Sequence, residues 1–193
     1  MKKALLLVTL LFATAELYAQ KDSLQLDENN EYVYYKVVSK PELSADSVYA
    51  RAWKFAAALS KDTKPKKGKA DKAFNVAGKF INYSGTSLVR KESGEVSYTL
   101  NFQAADGKYR YKFGDFVYTP YKRDRYGNMV AVQGVHIDLK NLTSKYSQKD
   151  ADDIYNQVAT GCITTELRLK QSIDNDPPVM KRPEVKKVHT GNW

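Results

Sequence analysis

The side chains that could carry chemistry are few and dispersed. His136 and His189 are the two histidines and Cys162 is the one cysteine. Nucleophilic catalysis needs a Ser, Cys or Thr beside a base such as His. His189 falls in a proline-rich, basic tail that offers no rigid geometry, and His136 has no second His or Cys near it in sequence, so it reads as a structural or exposed histidine rather than a metal ligand. Asp150, Asp152 and Asp153 cluster at the start of an expected helix, where the positive end of the helix dipole favours them. They lack the turn glycine and ligand spacing of a cation loop. Other carboxylates are scattered, and although two of them could do acid–base work as in glycosidases, the sequence does not say which ones meet. No catalytic residue, cofactor or metal is expected.

Two basic stretches remain. Lys61, Lys64, Lys66, Lys67 and Lys69 surround Pro65 and Gly68 without the glycine spacing that cradles phosphate, so this reads as a solvated loop. In Tyr121, Lys122, Arg123, Arg125 and Tyr126, cations alternate with rings that can stack on and pair with an anionic polymer or sugar. The alternative is a hairpin-type loop with snorkelling side chains.

The clearest element that could position such residues runs from Glu95 to Tyr118. Val96, Tyr98, Leu100, Phe102 and Ala104 alternate with polar residues, and Tyr109, Tyr111 and Phe113 alternate with Lys108, Arg110 and Lys112. This is strand period on both arms of a hairpin. Asp106-Gly107 supplies the positive φ values of a tight turn. One face is apolar and must be covered by helices from elsewhere in the chain.

Upstream, Glu31 to Ser39 reads as a strand in which Val33, Tyr35 and Val37 alternate with Tyr32, Tyr34 and Lys36, the second set being expected on the open side. Pro41 ends it. From Ser44 the period becomes helical, with Val48, Ala52, Phe55 and Leu59 on one stripe and Ser44 as N-cap. Phe74 to Tyr83 is a further strand, in which Gly78 suggests a bulge. Ser84 to Gly94 reads as a linker and Val130 to Asp138 as a fifth strand. Leu139 to Ser147 is a connection. A helix from Lys149 to about Lys170 carries Ile154, Val158, Cys162, Thr165 and Leu169 inward, with Gly161 allowing close packing on the sheet. Cys162 fits a small buried residue.

Composition sets the outer bounds. The 193 residues carry 31 Lys and Arg against 22 Asp and Glu, a formal net charge of +9, with 42% hydrophobic and 12% aromatic residues. That is one domain, with attraction to anionic surfaces. Met1 to Ala19 has a basic start at Lys2 and Lys3, an apolar run from Ala4 to Ala13 and a small residue at Ala19, which is a secretory leader. Cleavage near Ala19 would release a periplasmic or secreted chain without a transmembrane segment. Export argues against a genomic DNA partner. The expected domains are a leader over 1–19, a mobile lead-in over 20–30, one domain over 31–170 and a disordered basic tail over 171–193.

The strand and Val48-Tyr49-Ala50-Arg51-Ala52-Trp53 helix segment, Asp71-Lys72 before a strand with Gly78, and the hairpin Asp106-Gly107-Lys108-Tyr109-Arg110-Tyr111-Lys112-Phe113 with Asp115-Phe116 after it resemble a family of exported domains from Bacteroidetes-type bacteria. That family is described as having a TATA-binding-protein-like (TBP-like) fold and no assigned activity. The resemblance implies a two-layer fold with helices on one face. Periodicity alone gives the same α+β architecture: an antiparallel sheet of about five strands in the order β-α-β-β-β-β-α, with two helices on one side.

The expectation is therefore a non-enzymatic exported interaction domain. Its open sheet face or edges would engage an envelope protein or anionic polymer through Tyr32, Tyr34, Lys36, Arg110 and Lys112, with Tyr121 to Tyr126 as a second basic patch. An enzyme acting on an envelope polymer, a hydrolase with an unrecognised site, is the competing expectation. The oligomeric state is left open.

Overall fold

The computed structural model describes residues 24–59, 63–86 and 89–175. The leader over 1–19, Lys61 of the lysine loop, and His189 with the tail beyond 175 lie outside the described residues. Among the described residues, eight strands and two helices follow one another as β1 (Gln25–Leu26), β2 (Tyr32–Ser39), α1 (Ala45–Leu59), β3 (Lys66–Lys67), β4 (Ala73–Thr86), β5 (Val89–Ala105), β6 (Lys108–Arg123), β7 (Met129–Ala131), β8 (Ile137–Asp138) and α2 (Gln148–Asn175). A 3-10 turn over Leu139–Ser144 buries Leu139 and Leu142 between β8 and α2.

The sheet is antiparallel throughout, in the order β1-β2-β6-β5-β4-β3, with β7 and β8 on the far half of β6. The hairpin forms as its alternation requires, with Phe102 opposite Tyr111, Leu100 opposite Phe113 and Gly107 at φ +73° in the turn. Near Ser97 to Thr99 the register slips against Asp115, which adopts φ +53°. Such a bulge re-aims the strand, and Phe116 and Tyr118 accordingly return to the core.

Both helices lie on the face to which Tyr98, Leu100, Phe102, Tyr109, Tyr111 and Phe113 point. On α1, Tyr49 and Trp53 approach the Phe74 ring edge-on at 6.0 and 5.6 Å. The α1 start is held twice: Ser44 Oγ accepts from the Ser47 amide at 3.4 Å, and the hairpin-turn residue Asp106 accepts from the Ala45 amide at 2.9 Å. On α2, a Cβ added at Gly161 would stand 2.8 Å from the Phe80 ring, so the glycine is what lets this helix lie close to the sheet. Cys162 is free and fully buried beside it. The Arg51 guanidinium donates to the Ile173 carbonyl and joins the two helices.

Several expectations change. Ser84 to Gly94 is not a linker: β4 and β5 continue past the core as a ribbon in which Tyr83 pairs with Glu92 and Thr86 with Val89. Its polar composition reflects two wet faces rather than absence of structure. The register shift between β4 and β5 falls at Asn82/Tyr83, where Ser93 of β5 is the extra residue, and not at Gly78, whose missing side chain makes room for the Tyr98 ring, 2.5 Å from where a Cβ would be. Val130 to Asp138 divides into β7 and β8, because Gln133 and Gly134, the latter at φ +72°, break the strand between them. Lys66 and Lys67 form a short edge strand on β4, and α2 continues past Lys170 to Asn175.

Candidate functional site

Register decides what the open face displays. Tyr34 lies opposite Phe113, Lys36 opposite Tyr111 and Val38 opposite Tyr109, so this set of β2 residues shares the helix-covered face. Tyr32, Tyr34 and Lys36 are therefore not on the open side. Tyr32 packs on Tyr155 of α2 at 5.0 Å, and Tyr34 is 1% exposed. Both phases of β2 are apolar enough to pass as the inner one, so alternation alone cannot orient the strand. Pairing with β6 does.

Beneath α2 these residues meet Glu166, a carboxylate only 3% exposed. The Tyr34 hydroxyl and the Lys170 ammonium donate to it, as does Lys36 Nζ at 3.1 Å. The Tyr111 hydroxyl lies beside the same group without reaching a hydrogen bond. Burial pushes the Glu166 pKa up, but the Lys170, Tyr34 and Lys36 donors, with the Tyr111 hydroxyl nearby, outweigh it and hold the carboxyl at about 2. The phenols of Tyr34 and Tyr111 move the other way, far above the ordinary tyrosine range, first through burial and then through the adjacent carboxylate. A carboxylate so fully donated to is a fastener between helix and sheet, not a base with a free lone pair.

On the opposite face the side chains form two rows across the strands. Tyr35 stands opposite Lys112, which faces Asn101, which faces Asn75. One step along, Val37 stands opposite Arg110, which faces Gln103. Two connected hollows of about 480 and 350 Å³ follow these rows and share Tyr35, Gln103 and Arg110. Gln103 Oε1 accepts from Arg110 Nε and Nη2 at 3.0 and 2.6 Å. A guanidinium has five N–H donors, so three remain for a ligand. Tyr35 is 37% and Val37 56% exposed, a ring and an aliphatic surface beside the cations. The lining of both hollows contains no carboxylate, histidine or cysteine. Such a surface can pair with an anionic group, hydrogen-bond through three amides and stack on a ring.

Tyr121 to Tyr126 belong to a different region. From Arg110 to Tyr121 is eleven strand positions in β6, roughly 35 Å of extended chain. Tyr121 donates to Glu95 at 2.8 Å, and Glu95 also accepts from Lys79 at 3.0 Å, so that ring is engaged within the sheet. Lys122 and Arg123 pair along β7, while Arg125 lies 4.8 Å from the Tyr126 ring on a turn that Asp124 ties through the Tyr126 and Asn128 amides. The structure thus brings Arg110 and Lys112 together with Tyr35, Val37, Gln103, Asn101 and Asn75, which sequence reasoning missed as site residues. The readable signal was the polar phase of β5, Asn101 and Gln103.

Among the described residues no three of His, Cys, Asp and Glu converge as metal ligands, and no helix is long and apolar enough to cross a membrane. His136 Nδ1 lies 3.1 Å from the Thr119 hydroxyl.

Comparison with known families places a domain of unknown function with TBP-like fold on residues 34–119, the stretch that holds β2, α1 and the β4-β5-β6 meander. Residues 34–119 match DUF4468. Two crystal structures are similar over a longer part of the chain than the family match covers. A DUF4468 family protein from Bacteroides ovatus superposes with a TM-score of 0.58 at 11% identity, over 82% of this chain and 94% of that one. A TBP-like protein from Parabacteroides distasonis gives 0.59 at 13% identity, over 78% of this chain and 97% of that one. At such identities the likeness is one of fold. No curated protein matches the chain.

Proposed function

We propose that the chain is an exported, non-enzymatic binding domain whose open sheet face engages an anionic partner in the cell envelope. The observation that carries this reading is the pair of rows running from Tyr35 and Val37 on β2 through Lys112 and Arg110 to Asn101 and Gln103. Helices cover the other face and leave this one open. The groove supplies cations, amides and a ring, all recognition chemistry, and its lining contains no carboxylate, histidine or cysteine. Export is supported by the basic start, apolar run and Ala19 of the N-terminus.

An oligogalacturonate, an anionic polymer without a peptide backbone, serves as the probe, with binding followed by calorimetry. Arg110→Glu with Lys112→Glu is expected to abolish its binding while leaving the far-ultraviolet circular dichroism unchanged. Binding that survives the double reversal removes the open face from consideration. Processing is checked by sequencing the N-terminus of the protein recovered from a periplasmic or culture fraction, where Gln20 should be first.

A further inference from the structure

Among the described residues, the sheet has a second unpartnered region, at the edge of β4 where α2 passes beside it. The direction of each peptide unit in β4 follows from its neighbours. The Lys72 carbonyl accepts from Ala104 of β5, whereas the Ala73 carbonyl accepts from Gly68 on the outer side and the Ala77 carbonyl from the Thr63 hydroxyl at 2.6 Å. Alternate residues therefore present their N–H and C=O outward. Short β3 covers Phe74 and Asn75 only. Farther along, Gln157 of α2 accepts from the Tyr83 amide at 2.9 Å and donates to the Tyr83 carbonyl at 2.8 Å. That double exchange is what a residue of an adjacent strand makes. Between the Thr63 and Gln157 caps, the outward amides and carbonyls of Lys79 and Ile81 have no partner among the described residues.

This edge opens into a groove rather than onto bulk solvent. Two hollows of about 530 and 470 Å³ adjoin it and share Lys79, Phe80, Thr165 and Arg168. The floor is the Phe80 ring, stacked on Tyr98 at 4.3 Å, and the helix wall is Thr160, Thr164 and Arg168. The lining contains no carboxylate, yet Arg168 and Arg90 both belong to it. Arg90 lies 5.4 Å from the Tyr83 ring and Arg168 6.0 Å from the Phe55 ring, and neither has an ion-pair partner among the described residues.

We propose that the groove between the β4 edge and α2 is a second binding site, which takes an extended polypeptide strand bearing acidic side chains. Outward N–H and C=O groups recurring every second residue match another polypeptide backbone, whereas a glycan has no such ladder. The cationic wall selects acidic side chains. It also disfavours a second copy of this chain at the same edge, since pairing would bring Lys79, Arg90 and Arg168 against their own equivalents. The Gln157 side chain already occupies one ladder position, and the strand would continue that ladder along Ile81 and Lys79.

The test uses an end-capped peptide of alternating Glu and Thr with the full mature chain, followed by fluorescence anisotropy. Micromolar to millimolar binding is expected. Methylation of alternate peptide nitrogens on the pairing edge, Arg168→Glu, and Ile81→Pro are each expected to weaken it roughly tenfold or more, in line with lost backbone and charge-assisted hydrogen bonds. Proline is tolerated at an edge position whose N–H faces outward, and the methylated peptide removes the same bonds without altering the protein. Arg110→Glu with Lys112→Glu should preserve the component of binding that Ile81→Pro and peptide methylation remove, which separates this groove from the open face. Equal binding of the methylated peptide, loss of binding only in the Arg110/Lys112 double variant, or absence of binding at millimolar peptide overturns the proposal. Self-association that Ile81→Pro abolishes would assign the edge to a second copy and overturn it equally.

Discussion

Glu166 shows how one residue can hold a helix on a sheet. It stands four positions after Cys162, on the inward side of α2, where a carboxylate is costly unless it is fully partnered. Tyr34, Lys36 and Lys170 provide that partnership. Glu166→Gln keeps the volume but loses the charge. Because Lys36 and Lys170 are 47% and 37% exposed and can turn to water, the cost should be about 1–3 kcal/mol rather than that of a sealed ion pair. Urea denaturation at neutral pH measures it. The carboxyl titrates at about 2 in the folded chain against an ordinary value of 4.5, so its stabilising contribution is complete above 4.5 and disappears as pH falls toward 2. The wild-type midpoint should drop across that window, and Glu166→Gln should flatten the drop. The i, i+4 step from Cys162 was readable in the sequence as a charge on an apolar stripe. Its partners were not, since they depend on which way β2 faces.

The tyrosines produce the opposite limb. Burial raises Tyr98, Tyr109 and Tyr118 from 10 to about 12, and Tyr34 and Tyr111 rise further. A raised folded pKa gives stability that is whole below 10 and is lost as pH climbs toward the folded value. Denaturation midpoints should therefore fall between pH 10 and 12. Phenolate absorbance should lag behind that of free tyrosine until unfolding releases it.

At the scale of elements, legibility followed the contrast between the two phases of each strand. In β5 and β6 one phase is Tyr, Phe and Leu and the other Ser, Thr, Asn, Lys and Arg, and the Asp106-Gly107 turn fixes the register. β2 has Tyr and Val in both phases, and only its ladder to β6 orients it. The β4-β5 ribbon past Asn82 escaped notice because no face of it is buried. Contacts between elements were invisible for another reason: the cap that Asp106 provides for α1 links residues 61 positions apart. Asp106→Ala should cost about 1 kcal/mol, in the usual range for a lost N-cap, and Asp106→Asn should recover most of it, as read by thermal melts. Gly161→Ala places a methyl 2.8 Å from the Phe80 ring and should cost about 1–3 kcal/mol despite better helix propensity. Combining it with Phe80→Leu should cost less than the two changes added, because the smaller side chain vacates the space the methyl needs.

Across the whole molecule, a sheet covered on one face only has a graded stability, and hydrogen exchange makes the gradient measurable. β5 and β6 have a strand on each side and both helices beneath, so amides from Val96 to Gln103 and Tyr109 to Phe113 should exchange only through global unfolding. Beyond Tyr83, which Gln157 of α2 holds, the described ribbon residues 84–86 and 89–91 have no neighbour strand beyond their own pair and should exchange faster by orders of magnitude. Between these extremes β4 makes the sharpest statement. Its even-numbered amides from Phe74 to Phe80 are tied to β5, while those of Lys79 and Ile81 point to the edge beside α2, where they have no partner among the described residues. Protection should alternate with period two there, slow at Gly78 and Phe80 and fast at Lys79 and Ile81. An added strand would bond the outward pair, so the alternating Glu-Thr peptide should slow Lys79 and Ile81 selectively and leave the ribbon unchanged. Uniform slow exchange along β4 in the free protein would mean that the edge is already paired, and neither the groove nor its cationic wall would then be open to a partner.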